Sequence, residues 1–166
     1  MRYWTGGVLI LFVALFQAAS VDQFRILGVS PNVVLVLLAA WTVVRGLDDV
    51  LPMIAIAGLT LGFVGLQTPG LVLLALLPLA GLGLLREMHV VHSDLLLVLA
   101  LVLAASLMYE SIMLLAVAAT GGTRDVVLGF RHAVVPAAIV NLAITPPLYF
   151  LMRFARPAES RRRLSY

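Results

Sequence analysis

LLLVLALVLAASLMYESIMLLAVAA, residues 95–119, carries a single formal charge, at Glu110. A helix rises about 1.5 Å per residue and the hydrocarbon core of a bilayer is about 30 Å thick. About 20 consecutive apolar residues therefore suffice to cross it. This run is long enough alone, and apolar stretches recur outward from it in both directions, at residues 5–19, 31–44, 50–66, 71–85 and 130–152. Lipid offers the backbone no hydrogen bonds, so each stretch must be helical. The pattern predicts an all-α integral membrane protein: a bundle of six transmembrane helices over residues 1–155, then a basic tail at 156–166.

The joins are polar. Asp22, Gln23 and Arg25 break the first run, and Gly28-Val29-Ser30-Pro31 reads as a turn with Pro31 in the first turn of the second helix. That second run is short for a full crossing, which predicts tilt or local membrane thinning. Asp48 and Asp49 complement the N-terminus of the third helix. Gln67-Thr68-Pro69-Gly70 reads as a tight turn, Pro78 as a kink in the fourth helix, and Ser93 or Asp94 as the cap of the fifth. Gln17-Ala18-Ala19-Ser20 faintly resembles a signal-peptide cleavage region, but a multispan chain is expected to keep its first helix.

Composition narrows the function. Hydrophobic residues make up 63%, mean hydropathy is +1.12, and charged residues are 11%, well below the roughly 25% of a soluble domain. The net charge of +3 does not point to nucleic acid, because the excess sits in the tail at Arg153, Arg156, Arg161, Arg162 and Arg163. With the N-terminus inside, the cytoplasmic segments hold eight arginines and the outer loops hold three, Arg25, Arg124 and Arg131. That asymmetry places both termini in the cytoplasm. There is no cysteine, hence no disulfide or thiol nucleophile.

Polar residues inside the spans are few: Gln17, Thr42, Thr60, Ser106, Glu110, Ser111, Asn141 and Thr145. Glu110 is the one carboxylate well inside a span, and an intramembrane carboxylate is a candidate functional group. Asn141 lies near the middle of the antiparallel sixth run, where the two could pair. The set reads either as a polar pocket between the fifth and sixth helices or as a hydrogen bond fixing their register. Gln17 and Gln67, near the outer ends of the first and third runs, add polarity to the outer half. Gly58 and Gly62 form a GxxxG with Ala55 and Gly65 nearby, and Gly7, Ala14 and Ala18 offer a matching small face on the first run. Such faces serve internal packing or the docking of a partner's transmembrane helix.

No catalytic set accompanies these residues. His89 and His92, with Glu87 and Asp94 nearby, read as a solvated interfacial loop rather than a metal site. No Ser/His/Asp order, phosphate loop or HExxH motif is present. Neither enzyme activity, cofactor nor metal is expected. Tyr3, Trp4 and Tyr149 read as interface anchors.

The first run ends in Gln17. After a polar break come Ile26-Leu27-Gly28-Val29-Ser30-Pro31-Asn32-Val33-Val34-Leu35-Val36 and a Trp41…Arg45-Gly46 ending. This resembles the rod shape-determining MreD family, whose second span typically opens with Pro-Asp and aliphatic residues. Asn141-Leu142-Ala143-Ile144-Thr145-Pro146-Pro147-Leu148-Tyr149 is similar to the family's last helix, which is followed by a basic tail. Two departures stand out: Asn32 replaces the commoner Asp, and Leu66-Gln67-Thr68-Pro69-Gly70 lacks an Asp often found there. Asn32 thereby joins the polar set.

The resemblance implies a non-enzymatic scaffold of the bacterial elongation machinery in the inner membrane. Its expected partner is an MreC-like bitopic protein. Through it the chain would act indirectly on the synthase RodA, its transpeptidase and MreB filaments, to organise peptidoglycan synthesis and maintain rod shape. Membrane lipids would surround the bundle. The family's bundle is also similar to substrate-binding subunits of energy-coupling-factor transporters, so a small-molecule-binding subunit of a transporter is the alternative.

Overall fold

The computed structural model describes residues 2–20, 25, 28–65, 68–87, 93–122 and 125–154. Among them the secondary structure is helical throughout, with no β-strand. Six helices follow in order: α1 (Arg2–Ser20), α2 (Val33–Arg45), α3 (Leu47–Val64), α4 (Pro69–Glu87), α5 (Asp94–Ala119) and α6 (Val126–Phe154). They fall within a few residues of the six apolar runs. By length and composition α3, α5 and α6 are long and apolar enough to cross a membrane. The other apolar helical stretches are shorter, at Gly6–Ala19, Val33–Arg45 and Pro69–Leu84.

α2 is the axis of the bundle and packs against all five other helices. Every residue from Val34 to Val44 is buried. A helix that is apolar all round can be buried on every side. At 13 residues α2 is only about 20 Å long. The short run is therefore accommodated by enclosure within the bundle. Pro31 precedes the helix instead of opening it, because Asn32 takes the cap: its side chain accepts from the Leu35 N–H at 3.0 Å. At the other end Gly46 adopts φ +106°, a value suited to glycine, and turns the chain directly into α3. The Arg45 guanidinium lies 5.1 Å from the Trp41 ring centroid.

Pro69 opens α4, where its missing N–H costs nothing, and Thr68 O accepts from Leu71 N and Val72 N. Asp48 and Asp49 occupy the first turn of α3. Ser93 stands at the cap position of α5 without a side-chain cap bond, and Asp94 is in the first turn. In α6 a π turn over Phe130–Val134 ends two residues before Pro136, a residue that cannot donate to the helical ladder. The outward faces carry large apolar side chains, among them Phe12, Phe63, Val127 and Leu151. A belt of that kind fits a lipid-embedded bundle. Tyr149 does not anchor at an interface: it is 2% exposed and sits in the core. The side chains of Tyr3 and Trp4 lie outside the description.

Candidate functional site

The polar residues of four helices meet at the buried start of α2. A helix N-terminus leaves its first N–H groups without intrahelical acceptors. Here they are answered by side chains from elsewhere. Val34 N donates to Gln17 Oε1 of α1 at 2.8 Å, and Leu35 N to Asn32 Oδ1. Asn32 N donates to Asn141 Oδ1 of α6 at 2.7 Å. Gln17 Nε2 also donates to Asn32 Oδ1 at 3.1 Å, and Asn141 Nδ2 donates to Ser106 Oγ of α5 at 3.0 Å. Asn32, Ser106 and Asn141 are buried, and the Tyr109 hydroxyl reaches the Asn32 side chain. Thr145 Oγ1 donates to the Asn141 carbonyl at 2.7 Å, one turn back in its own helix.

Asn141 therefore pairs with Ser106 and the Asn32 backbone, not with Glu110. The reason is position: the start of α2 packs against both α5 and α6 and draws the amide oxygen to its own backbone. The network also fixes the depth of that start. Ser106 is at the midpoint of α5, so α2 begins level with the middle of the longest uninterrupted α-helix. The described residues of the connection just ahead of it, 28–31, are non-helical and lie beside this network. Non-helical backbone at such depth is tolerated where it is buried in protein or lines a cavity.

A cavity of about 350 Å³ lies against this connection. Its walls include Gln17, Arg25, Ser30, Asn32, Tyr109 and Glu110, with Met113, Ala133 and Ala137 on the apolar side. Glu110 lies one turn beyond Ser106 on the same helix. Of the polar set expected from the sequence, Gln17, Asn32, Glu110 and Asn141 thus gather at one place: three of them in the network, and Glu110 on the cavity wall. Gln67 lies outside the described residues, as do His89 and His92. Among the described residues no three acidic, histidine or cysteine side chains cluster as metal ligands. Arg25 and Tyr109 were not foreseen as site residues. Their signals were faint: Tyr109 adjoins Glu110, and Arg25 stands in the break before the Gly28 turn.

The small residues are arranged differently. A Cβ at Gly58 would meet Leu73, and one at Gly62 would meet the Pro69 backbone, so both glycines face α4 within the bundle. On α1, Gly6 faces Trp41 and Met53, and Gly7 faces Ile56 of α3. Ala14 is fully buried, Ala18 half-buried, and Ala55 exposed. Only Ala55 of the expected docking set is presented openly. It lies on an exposed stripe of α3 with Leu51, Leu59 and Phe63. Thr42 and Thr60 return their hydroxyls to the carbonyls of Leu38 and Ile56.

Comparison with protein-family models, curated proteins and solved structures finds no match to this chain.

Proposed function

We propose that this chain is a non-enzymatic inner-membrane scaffold of the MreD type: six membrane segments, both termini cytoplasmic, holding the transmembrane helix of an MreC-like partner. One observation carries the reading. The separate stretches behind the sequence resemblance converge: Gln17, Asn32, Asn141 and Thr145 form a single connected network around the start of α2. Trp41, Arg45 and Gly46, from the same signature, build the other end of that helix. Signature residues engaged in holding backbone and turning the chain support architecture in preference to catalysis.

The partner's helix has one candidate seat among the small residues singled out, the Ala55 stripe of α3. A helix seated at Gly58 and Gly62 would have to displace α4. The chain contains no cysteine, so single cysteines give clean crosslinks. Ala55→Cys, co-expressed with a single-span partner bearing cysteines along its helix, is expected to form a disulfide with helical periodicity. Cysteine at Leu103, an exposed position of α5, is expected to form none. Equal crosslinking at both positions would remove the α3 seat.

The transporter-subunit reading has one observation in its favour, the polar-walled cavity. It requires coupling to ATPase subunits, and co-purification of such subunits is its test.

A further inference from the structure

We propose that the cavity bounded by α5 and α6 binds a primary ammonium ion, held on the Glu110 carboxylate, with a short apolar substituent against Met113 and the α6 alanines. This goes beyond the scaffold reading and does not depend on it. Three observations carry it.

First, Glu110 has no part in the polar network. The bonds that seat the start of α2 run among Gln17, Asn32, Ser106, Asn141 and the backbone of Val34 and Leu35, and none of them goes to Glu110. Helix register is therefore fixed without it. A carboxylate on a membrane-spanning helix is costly and is a functional candidate by default. Its place here is the cavity wall. Second, the opposite side of the cavity is kept open. Ala133 and Ala137, one turn apart on α6, line it with the shortest side chains that carry a Cβ. Ala133 lies within the π turn Phe130–Val134, which packs against α5. Such turns recur at functional sites. The space is about 350 Å³, near the lower end of the range for small-molecule pockets.

Third, charge selects the occupant. Arg25, in the same wall, already has an interaction partner. Glu110 is the charge that a ligand has to answer, and a cation answers it. Among the described residues no three acidic, histidine or cysteine side chains gather as metal ligands. A single carboxylate suits an ammonium, whose N–H groups make charge-assisted hydrogen bonds to it. Met113, Ala133 and Ala137 then receive a short apolar substituent. Free alkylamines and the ethanolamine headgroup of a lipid share this chemistry.

The test uses the full chain purified in an uncharged detergent. Binding is measured calorimetrically for two pairs of probes: butylammonium against butyltrimethylammonium, and short-chain phosphatidylethanolamine against short-chain phosphatidylcholine. Within each pair the charge is the same and only the first member has ammonium N–H donors. The expected result is saturable binding of butylammonium, of the ethanolamine lipid, or of both, at least about tenfold tighter than the quaternary counterpart. Butylammonium binding assigns a free amine; binding of the ethanolamine lipid alone assigns a headgroup. Glu110→Gln is expected to weaken binding about tenfold or more. Ala133→Leu narrows the cavity without touching a charge and is expected to do the same, which keeps the test decisive if the Glu110 variant fails to fold. Equal affinity within both pairs, unchanged affinity in either folded variant, or no binding by butylammonium and the ethanolamine lipid would overturn the proposal.

Discussion

Asn141 bears the most consequence of any single residue. Its oxygen accepts from the Asn32 backbone and its nitrogen donates to Ser106, joining α2, α5 and α6 through one amide. Removing it leaves a buried N–H without an acceptor, a loss of about 1–3 kcal/mol. Asn141→Ala is therefore expected to lower the thermal unfolding midpoint of the purified protein clearly. Ser106→Ala, which removes one of these bonds and leaves the Asn32 bond in place, is expected to lower the midpoint less. Equal midpoints for the two variants would show that the Asn32 contact adds nothing. The polar residues were legible in the sequence because each stands out in an apolar run. Their pairing was not. Spacing put Glu110 and Asn141 on neighbouring helices but gave no sign that the α2 backbone would intervene and take the amide.

Among the elements, α2 and the α3–α4 pair show where sequence reading stops. Helix ends were readable within a few residues, since polar breaks, Gly46 and Pro69 mark them. The interior position of α2 was not readable. In a soluble protein an all-apolar helix announces burial, but here lipid-facing helices are equally apolar and the contrast vanishes. The small-residue motif was ambiguous in the same way: it signals close approach and leaves the approaching helix unnamed. In the structure that helix is α4, with the Pro69 backbone over Gly62 and the Leu73 side chain over Gly58. Gly62→Ala is thus expected to destabilise by about 1–3 kcal/mol, because backbone cannot step aside. Gly58→Ala is expected to cost less, because the Leu73 side chain can shift. Melting temperatures of both variants in the same detergent check the order, and a larger loss at Gly58 would contradict the packing.

At the scale of the whole molecule, the bundle presents apolar faces outward and keeps its polar groups for a central helix that begins at mid-depth. The arginine asymmetry fixes the expected orientation, with Arg25 and Thr120 outside and Ser93 inside. In intact spheroplasts an impermeant thiol reagent is expected to label Arg25→Cys and Thr120→Cys, and Ser93→Cys only after permeabilisation. The reverse pattern would invert the topology. The scaffold reading makes the sharpest claim about the whole protein, that it works by holding another. A tagged copy purified from native bacterial membranes in mild detergent, with mass spectrometry of what accompanies it, tests that claim most directly. The account predicts a single-span protein with a periplasmic domain, with or without cell-wall synthases. Recovery of ATPase subunits in its place, or of no single-span protein at all, would contradict it.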